Sequence, residues 1–322
     1  MGLLLALIIN LVLSYARNLR LLFDNQTEVL SQVSNGDMGG FVPVATQDEF
    51  GFIAGHTNMM IDGLRDRMRL LEGIAVASEV QETLLPDGPP EADFLRGRLE
   101  VAGRCLYSDE TGGDYYDYLT GWGTGESGAP ALGVVVGDVT GHGVGAALLM
   151  ASVRAFVRMR AVGTTDPAVL LSDVNKMTVA DSYGTGRFVT MFLLHIDPES
   201  LQVSWATAGH EPALVYSRTE GTFTRLYASG LPLGTMEDAV YEAACCRQLH
   251  RDDIVLLYTD GLVEARNAAG EMFGRDRLRS VVRDYAASGA QSVVDALCDV
   301  VGSFQGGVAQ EDDVTVVAIR VV

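Results

Sequence analysis

The feature that most constrains this chain is a change of hydrophobic period at the prolines Pro86, Pro89 and Pro90. Before them, apolar residues recur at spacings of three and four. After them, apolar residues come in short runs that end in Gly-Asp or Thr-Asp turns. The first pattern belongs to amphipathic helices and the second to strands, so two architectures are joined at a helix stop. A chain of 322 residues has room for two or three units and one sizeable core. Apolar residues make up 48%, which excludes a wholly disordered chain. A formal charge of −19 repels nucleic-acid backbone, and no Lys/Arg cluster reverses it locally, Lys176 being the sole lysine. Cys105, Cys245, Cys246 and Cys298 form no C-x-x-C pair and read as free thiols of a reducing compartment.

Leu3 to Ala16 is mostly apolar, interrupted by Asn10 and Ser14, and Arg17 and Arg20 follow it. As a helix this stretch spans about 20 Å, short of the roughly 30 Å hydrocarbon layer. Two readings arise. Ser14-Tyr15-Ala16 loosely matches a signal-peptide cleavage site, yet no basic residue precedes the apolar run. The other reading is the cytoplasmic end of a transmembrane helix whose outer part lies upstream, with the two arginines obeying the positive-inside bias. The second is preferred: residues 1–16 are a partial transmembrane helix in the inner (cytoplasmic) membrane, with the rest in the cytoplasm.

Leu19, Leu22, Gln26, Val29 and Val33 form a heptad-type seam. A connector, Asn35 to Gly40 and then Phe41 to Val44, separates it from a second helical pattern in Phe50, Ile53, Thr57, Met60, Leu64, Met68 and Leu71. Gly36-Asp37, Val42, Val44, Asp48-Glu49-Phe50-Gly51 and Asn58-Met59-Met60 with Leu64 carry a resemblance to HAMP signalling domains over residues 17–72. No proline opens the first helix, a departure from that pattern. The resemblance implies a parallel four-helix bundle of two chains, hence a homodimer, and makes Met59 and Met60 bundle packing. Ile74 to Leu85 stays helix-compatible until Pro86, so residues 73–98 read as a helical linker and loop.

From Leu99 onward, Leu99–Tyr107, Ala131–Gly137, Phe188–Ile196, Leu201–Ala206, Ala213–Tyr216, Ile254–Tyr258 and Val314–Val321 read as strands. Asp197-Pro198-Glu199-Ser200 closes a hairpin. Val144–Ala161, Pro167–Ala180, Arg275–Ala287 and Gln291–Ser303 read as helices. Hairpins with separate helices give an α+β class, two sheets sandwiched between helical layers over residues 99–322.

Four acidic motifs lie at strand ends: Gly112-Gly113-Asp114, Gly137-Asp138-Val139, Thr259-Asp260-Gly261 and Glu311-Asp312-Asp313. A carboxylate at the end of a buried strand is costly to desolvate unless something cationic compensates it. Four such ends exceed the local supply of lysine and arginine. Hard, oxygen-preferring cations, Mg²⁺ or Mn²⁺, are the natural partners if the fold gathers them.

Together these motifs resemble the bacterial PP2C-like serine/threonine phosphatases of the SpoIIE/RsbU type, over essentially all of Leu99–Val322. Val80-Gln81-Glu82-Thr83-Leu84-Leu85-Pro86, Ala208 to Leu214 and Gly230 to Gly234 extend the match. The resemblance implies a PP2C-like β-sandwich and a centre of two Mn²⁺ or Mg²⁺ ions. Asp138 would bridge both ions and the Val139 carbonyl would bind one. Asp260 and Asp312 would hold the other, with Asp114 as a further direct or water-mediated ligand. It implies in-line hydrolysis of phosphoserine or phosphothreonine without a covalent intermediate, control through the HAMP region and linker helix, and a phosphorylated anti-sigma-factor antagonist of STAS type as substrate.

Other residues take plainer readings. His142 is a spectator, since relatives often carry lysine there. His210 shapes a turn. Asp117 and Asp313 face solvent or support the adjacent ligands. A diguanylate cyclase is the rival enzyme, but Tyr115-Tyr116 breaks its G-G-[DE]-E-F signature. A catalytically inactive partner-binding module is the rival from another class, and retention of all four aspartates argues against it.

Overall fold

The computed structural model describes residues 2–44, 49–124 and 128–322, and Asp48 and the Cys246 side chain lie outside the described part. The chain divides into two compact units, Met1–Val76 and Ala77–Val322.

The first unit contains helix α1 (Gly2–Ser34) and the greater part of helix α2 (Glu49–Glu82). α1 passes through Arg17 and Arg20 without a break. By length and composition alone it is long and apolar enough to cross a membrane. The expected α1 seam, Leu19, Leu22, Gln26, Val29 and Val33, is the covered side of this helix. Val29 packs with Val42, Ala54 and Ile61. Gln26 interrupts the seam because its Nε2 donates to Thr57 Oγ1 at 3.1 Å. The connector is pinned by Asn58, whose Oδ1 accepts from the Val42 N–H at 2.8 Å and whose Nδ2 donates to the Val42 carbonyl at 2.8 Å. One side-chain amide thus satisfies both backbone groups of a buried residue.

On α2 the expected seam is not the face that packs within the chain. Ala54, Thr57 and Ile61 face inward, whereas Ile53, Met60, Leu64, Met68 and Leu71 are 37–52% exposed. Only Thr57 belongs to both sets. Two helices alone offer one mutual contact stripe, and Ala54, Thr57 and Ile61 occupy it, leaving Ile53, Met60, Leu64, Met68 and Leu71 outside.

The second unit begins with the last turns of α2 and takes in the proline loop. Two five-stranded antiparallel sheets come next, ordered β1-β10-β9-β6-β7 and β2-β3-β4-β5-β8. The strands are β1 (Leu99–Leu106), β2 (Tyr115–Thr124), β3 (Pro130–Val139), β4 (Val189–Ile196), β5 (Gln202–Ala208), β6 (Ala213–Ser217), β7 (Thr222–Leu226), β8 (Ala244–Gln248), β9 (Ile254–Tyr258) and β10 (Val314–Val321). The helices are α3 (Val144–Ala161), α4 (Pro167–Ser182), the short α5 (Asp260–Glu264), α6 (Gly274–Tyr285) and α7 (Ala290–Gln305). The α+β reading therefore holds. β2, β7, β8 and α5 are additions to the expected elements.

The period-2 alternation of the strands fills three cores at once. Val134, Val136 and Leu194 point between the sheets, where they meet Val255, Leu257, Val317 and Ile319. Val135, Leu193 and Ala206 point the other way, onto α3 and α4. Leu256, Val316 and Ala318 pack against α6 and α7. This double burial explains the nearly unbroken β-branched run of β10. The Asp197 turn closes the β4–β5 hairpin, its Oδ1 accepting from the N–H groups of Glu199 and Ser200.

Candidate active site

The strand register brings the four acidic motifs to one end of the sandwich. Tyr115 pairs with Gly137 across β2 and β3, which sets Asp114 opposite Asp138. In the other sheet Tyr258 pairs with Val316, so Asp260, the first residue of α5, lies beside the Asp312–Asp313 turn. Hydrogen bonds stitch the two sheets together there. Thr259 Oγ1 donates to Asp114 Oδ2 at 2.8 Å and accepts from the Thr315 N–H at 2.9 Å. Asp313 Oδ2 accepts from the N–H groups of Gly113 and Asp114, and its Oδ1 from the N–H and hydroxyl of Ser108. Gly113 is required by close approach, since a Cβ there would stand 2.5 Å from the Val139 carbonyl.

The electrostatics are those of crowded like charges. Burial, and then the Asp138 carboxylate, push Asp114 well above the ordinary carboxylate range. Burial, then Asp260, Asp312 and Asp313, push Asp138 up to about 7. Asp312 is raised by burial and by Asp260, against a lowering hydrogen bond from the Asp313 N–H. Among the described residues none of the four makes an ion pair; the nearby Arg266 pairs with Glu311 and His142 with Asp109.

The side chains do not form a ready-made cage: among the described residues, no three His, Cys, Asp or Glu close to metal-holding distance. The donor set nonetheless fits Mg²⁺ or Mn²⁺. It consists of oxygen alone, it is net negative without a compensating cation, and the Val139 carbonyl stands beside Gly113 among the carboxylates. Ions that keep several waters need few direct protein ligands. A polar cleft of about 210 Å³ opens beside Asp312, lined by Gly261, Glu264 and Gln310. Larger hollows of about 400 Å³ lie beside Trp122 and beside Leu95, and contain none of the four aspartates.

One of the plainer readings needs correction, and one, the turn at His210, holds and gains a contact. Asp117 neither faces solvent nor supports a ligand: it is wholly buried on the opposite face of β2. There it accepts from Arg158 Nε and Nη2 at 2.6 and 2.7 Å and from the Tyr115 hydroxyl at 2.9 Å. His210 does more than shape a turn. Its Nδ1 lies 2.8 Å from the Thr190 hydroxyl, and Thr190 pairs with Asp138 across β3 and β4. Burial pulls its pKa down to about 4, which keeps the imidazole neutral. The histidine within the Ala208–Leu214 motif was the available signal. Asp313 is the supporting partner it was expected to be. His142 stands 77% exposed with Nδ1 2.8 Å from Asp109.

The family profile of Stage II sporulation protein E (SpoIIE) matches residues 129–322. Phosphoserine phosphatase RsbU of Bacillus subtilis (strain 168) is 28% identical over 247 residues, which cover 77% of this chain and 69% of that protein. The solved SiaA-PP2C domain of Pseudomonas aeruginosa superposes with a TM-score of 0.65 at 23% identity, covering 79% of this chain and 98% of that one. RsbX in complex with magnesium superposes with a TM-score of 0.50 at 16% identity, covering 73% and 98%. A cyclase reading of Gly112-Gly113-Asp114 is set aside by this fold. The chain belongs to the SpoIIE family of protein phosphatases with the PP2C fold.

Proposed function

We propose that this chain is a divalent-metal-dependent phosphoserine/phosphothreonine phosphatase whose metal centre is built on Asp138, the Val139 carbonyl, Asp260, Asp312 and Asp114. The observation that carries the proposal is the gathering of four carboxylates from both sheets, none of which makes an ion pair among the described residues. The magnesium complex of RsbX supports the choice of ion. When bound, two such ions would supply an activated water and offset the charge of the phosphoryl oxygens.

The protein's own part is positioning. At the end of β3, Asp138 and Val139 pair with Thr190 and Val189 of β4, and on the other side the Val139 N–H donates to the Gly113 carbonyl at 3.3 Å. The Thr259 hydroxyl orients Asp114, and Asp313 ties the Asp114 loop to the start of β10. Asp312 is turned by its own hydrogen bond from the Asp313 N–H at 2.9 Å. No serine or cysteine nucleophile is called for: Cys105, which lies beside the site, is pushed well above the ordinary thiol range by burial and then by Asp114, which keeps it a protonated thiol.

The substrate in this proposal is a phosphorylated anti-sigma-factor antagonist of STAS type, in line with the phosphoserine activity in the name of RsbU. Residues 17–72 act as a HAMP domain that dimerises through the apolar face of α2 left exposed in the single chain. Residues 1–16 anchor it at the inner membrane, and residues 73–98 carry the signal to the catalytic domain. Phosphoproteomics of a deletion strain, paired with phosphate release from the recovered phosphoprotein by the purified chain with Mn²⁺, tests the reading. Accumulation of a phosphorylated STAS protein that the chain hydrolyses is expected. A chain that releases phosphate from no phosphoprotein at any Mn²⁺ concentration would instead favour an inactive binding module.

A further inference from the structure

Arg187 stands two residues ahead of β4, and among the described residues it makes no ion pair, in a chain with 42 acidic residues to 23 lysines and arginines. The other arginines around this end of the sandwich are occupied: Arg266 by Glu311 and the Gly270 carbonyl, Arg275 by Glu211. The half-buried Arg187 side chain has one long hydrogen bond, from Nη1 to the Thr140 carbonyl at 3.4 Å. A guanidinium carries five donors, so most of this one's capacity is unspent.

Its place is nevertheless fixed. Below it, the Thr140 N–H donates to the Phe188 carbonyl at 3.0 Å, and the Thr140 hydroxyl accepts from the Phe188 N–H at 3.0 Å. These bonds continue the β3–β4 ladder one step past the Val139–Val189 pair, and so hold Arg187 against the turn that leaves Asp138 and Val139. Glycines make room for the guanidinium there. A Cβ on Gly145 would stand 2.9 Å from Nη2 and 3.1 Å from Cζ, and one on Gly141 would stand 3.6 Å from Nη1. The cation thus lies over the Thr140–Gly145 turn, which begins one residue beyond the Val139 carbonyl.

Charge balance says what such a cation is for. Two divalent ions would cancel four carboxylates, whereas a phosphoserine brings about −1.5 to −2 at neutral pH. A planar fork of N–H donors matches two phosphoryl oxygens at once, and a guanidinium sheds its water more readily than an ammonium does. We infer that Arg187 binds the phosphoryl group of the substrate and holds it over the end of β3. This rests on the phosphatase reading and deepens it by naming a substrate-binding side chain that none of the four acidic motifs contains.

The test uses the full chain in saturating Mn²⁺ and reads three quantities: KM for p-nitrophenyl phosphate, calorimetric binding of inorganic phosphate, and Mn²⁺ affinity. The proteins are the wild type, Arg187→Ala, Arg187→Lys and the surface control Arg283→Ala, whose guanidinium lies over the Phe223 ring. Arg187→Ala should raise KM and weaken phosphate binding by about tenfold or more, with Mn²⁺ affinity unchanged. Arg187→Lys keeps the charge without the fork and should fall in between. Arg283→Ala should behave as the wild type in all three. Wild-type KM and phosphate binding in Arg187→Ala would overturn the inference. So would a loss of Mn²⁺ affinity as large as the loss of phosphate binding, which would make Arg187 a brace for the Thr140 turn. An equal effect in Arg283→Ala would reduce the result to overall charge and overturn it too. If Arg187→Ala fails to fold, Arg187→Gln, which keeps the length of the side chain, decides by the same criteria. A wild type that hydrolyses nothing would overturn the phosphatase reading itself, before any variant is compared.

Discussion

The two units spend their apolar residues differently. In Ala77–Val322 every strand of both sheets finds cover on the faces it needs, and three cores close within one chain. In Met1–Val76 one small cluster of Val29, Val42, Ala54 and Ile61 closes, while Leu3 to Leu13 and Ile53, Met60, Leu64, Met68 and Leu71 of α2 stay outside. The larger unit is complete as a monomer and can hold charged groups rigidly enough to matter chemically. The smaller one has apolar faces that a membrane or a second chain would cover. The phosphatase family match falls in the unit whose packing is finished.

The sharpest way to break this comparison is at the site. Asp138→Ala and Asp260→Ala should each lower turnover by on the order of 10³-fold or more while the protein remains folded. His142→Ala should cost far less, because its ring is exposed and held only by Asp109. Steady-state hydrolysis with circular dichroism as the fold control reads both. An Asp138→Ala protein with near wild-type rate would move the chemistry elsewhere.

A second effect probes the completeness of the catalytic unit. Asp117 is wholly buried and rests on Arg158, whose side chain is half exposed. Arg158→Ala should lower unfolding stability by about 2–3 kcal/mol, less than for a fully buried pair because water already reaches the arginine. Urea denaturation measures it. An unchanged midpoint would mean that Arg154, 3.9 Å away, suffices alone.

A third prediction concerns the open unit. α2 is continuous between Glu72 and Ser78, so deleting one to three residues there rotates the downstream helix by roughly 100° per residue, and deleting seven restores the face. The phosphatase rate should change with the short deletions and return with the long one, in a protein that sediments as a dimer. Equal rates throughout, matching a fragment without the helices, would make α2 a passive tether.

Much of this was legible in the sequence because it is local. β9, β10 and α3 match their expected bounds at both ends, since long apolar runs bounded by Asp or Gly leave little choice. β2 was hidden: Tyr115-Tyr116-Asp117-Tyr118 places an acid in the middle of a strand, tolerable only because Arg158 meets it from 41 residues away. β7 and β8 are short edge strands with polar residues and carry weak signals. Asp114, Asp138 and Asp260 stood out by a glycine beside each, and Asp312 by its place in an acidic run that opens the last strand. Gln81 lies inside the Val80–Pro86 stretch that carried the resemblance, but its burial against Gly112, 31 residues on, was not legible from a helical pattern.

The central claim is that these carboxylates form a cation site, and the raised Asp138 gives it a direct signature. Its folded pKa of about 7 lies above the unfolded value, so the metal-free protein holds an extra proton between about pH 4 and pH 7 and loses stability as pH rises through that window. Cations bind the ionised form, so binding at pH 7 must expel that proton. Calorimetric titration with Mn²⁺ in two buffers of different ionisation enthalpy measures the release. The account predicts saturable binding with proton release at pH 7 that shrinks as the pH rises above the Asp138 value, and neither binding nor release in Asp138→Asn. Binding without proton release, or binding that survives in Asp138→Asn at wild-type affinity, would contradict it.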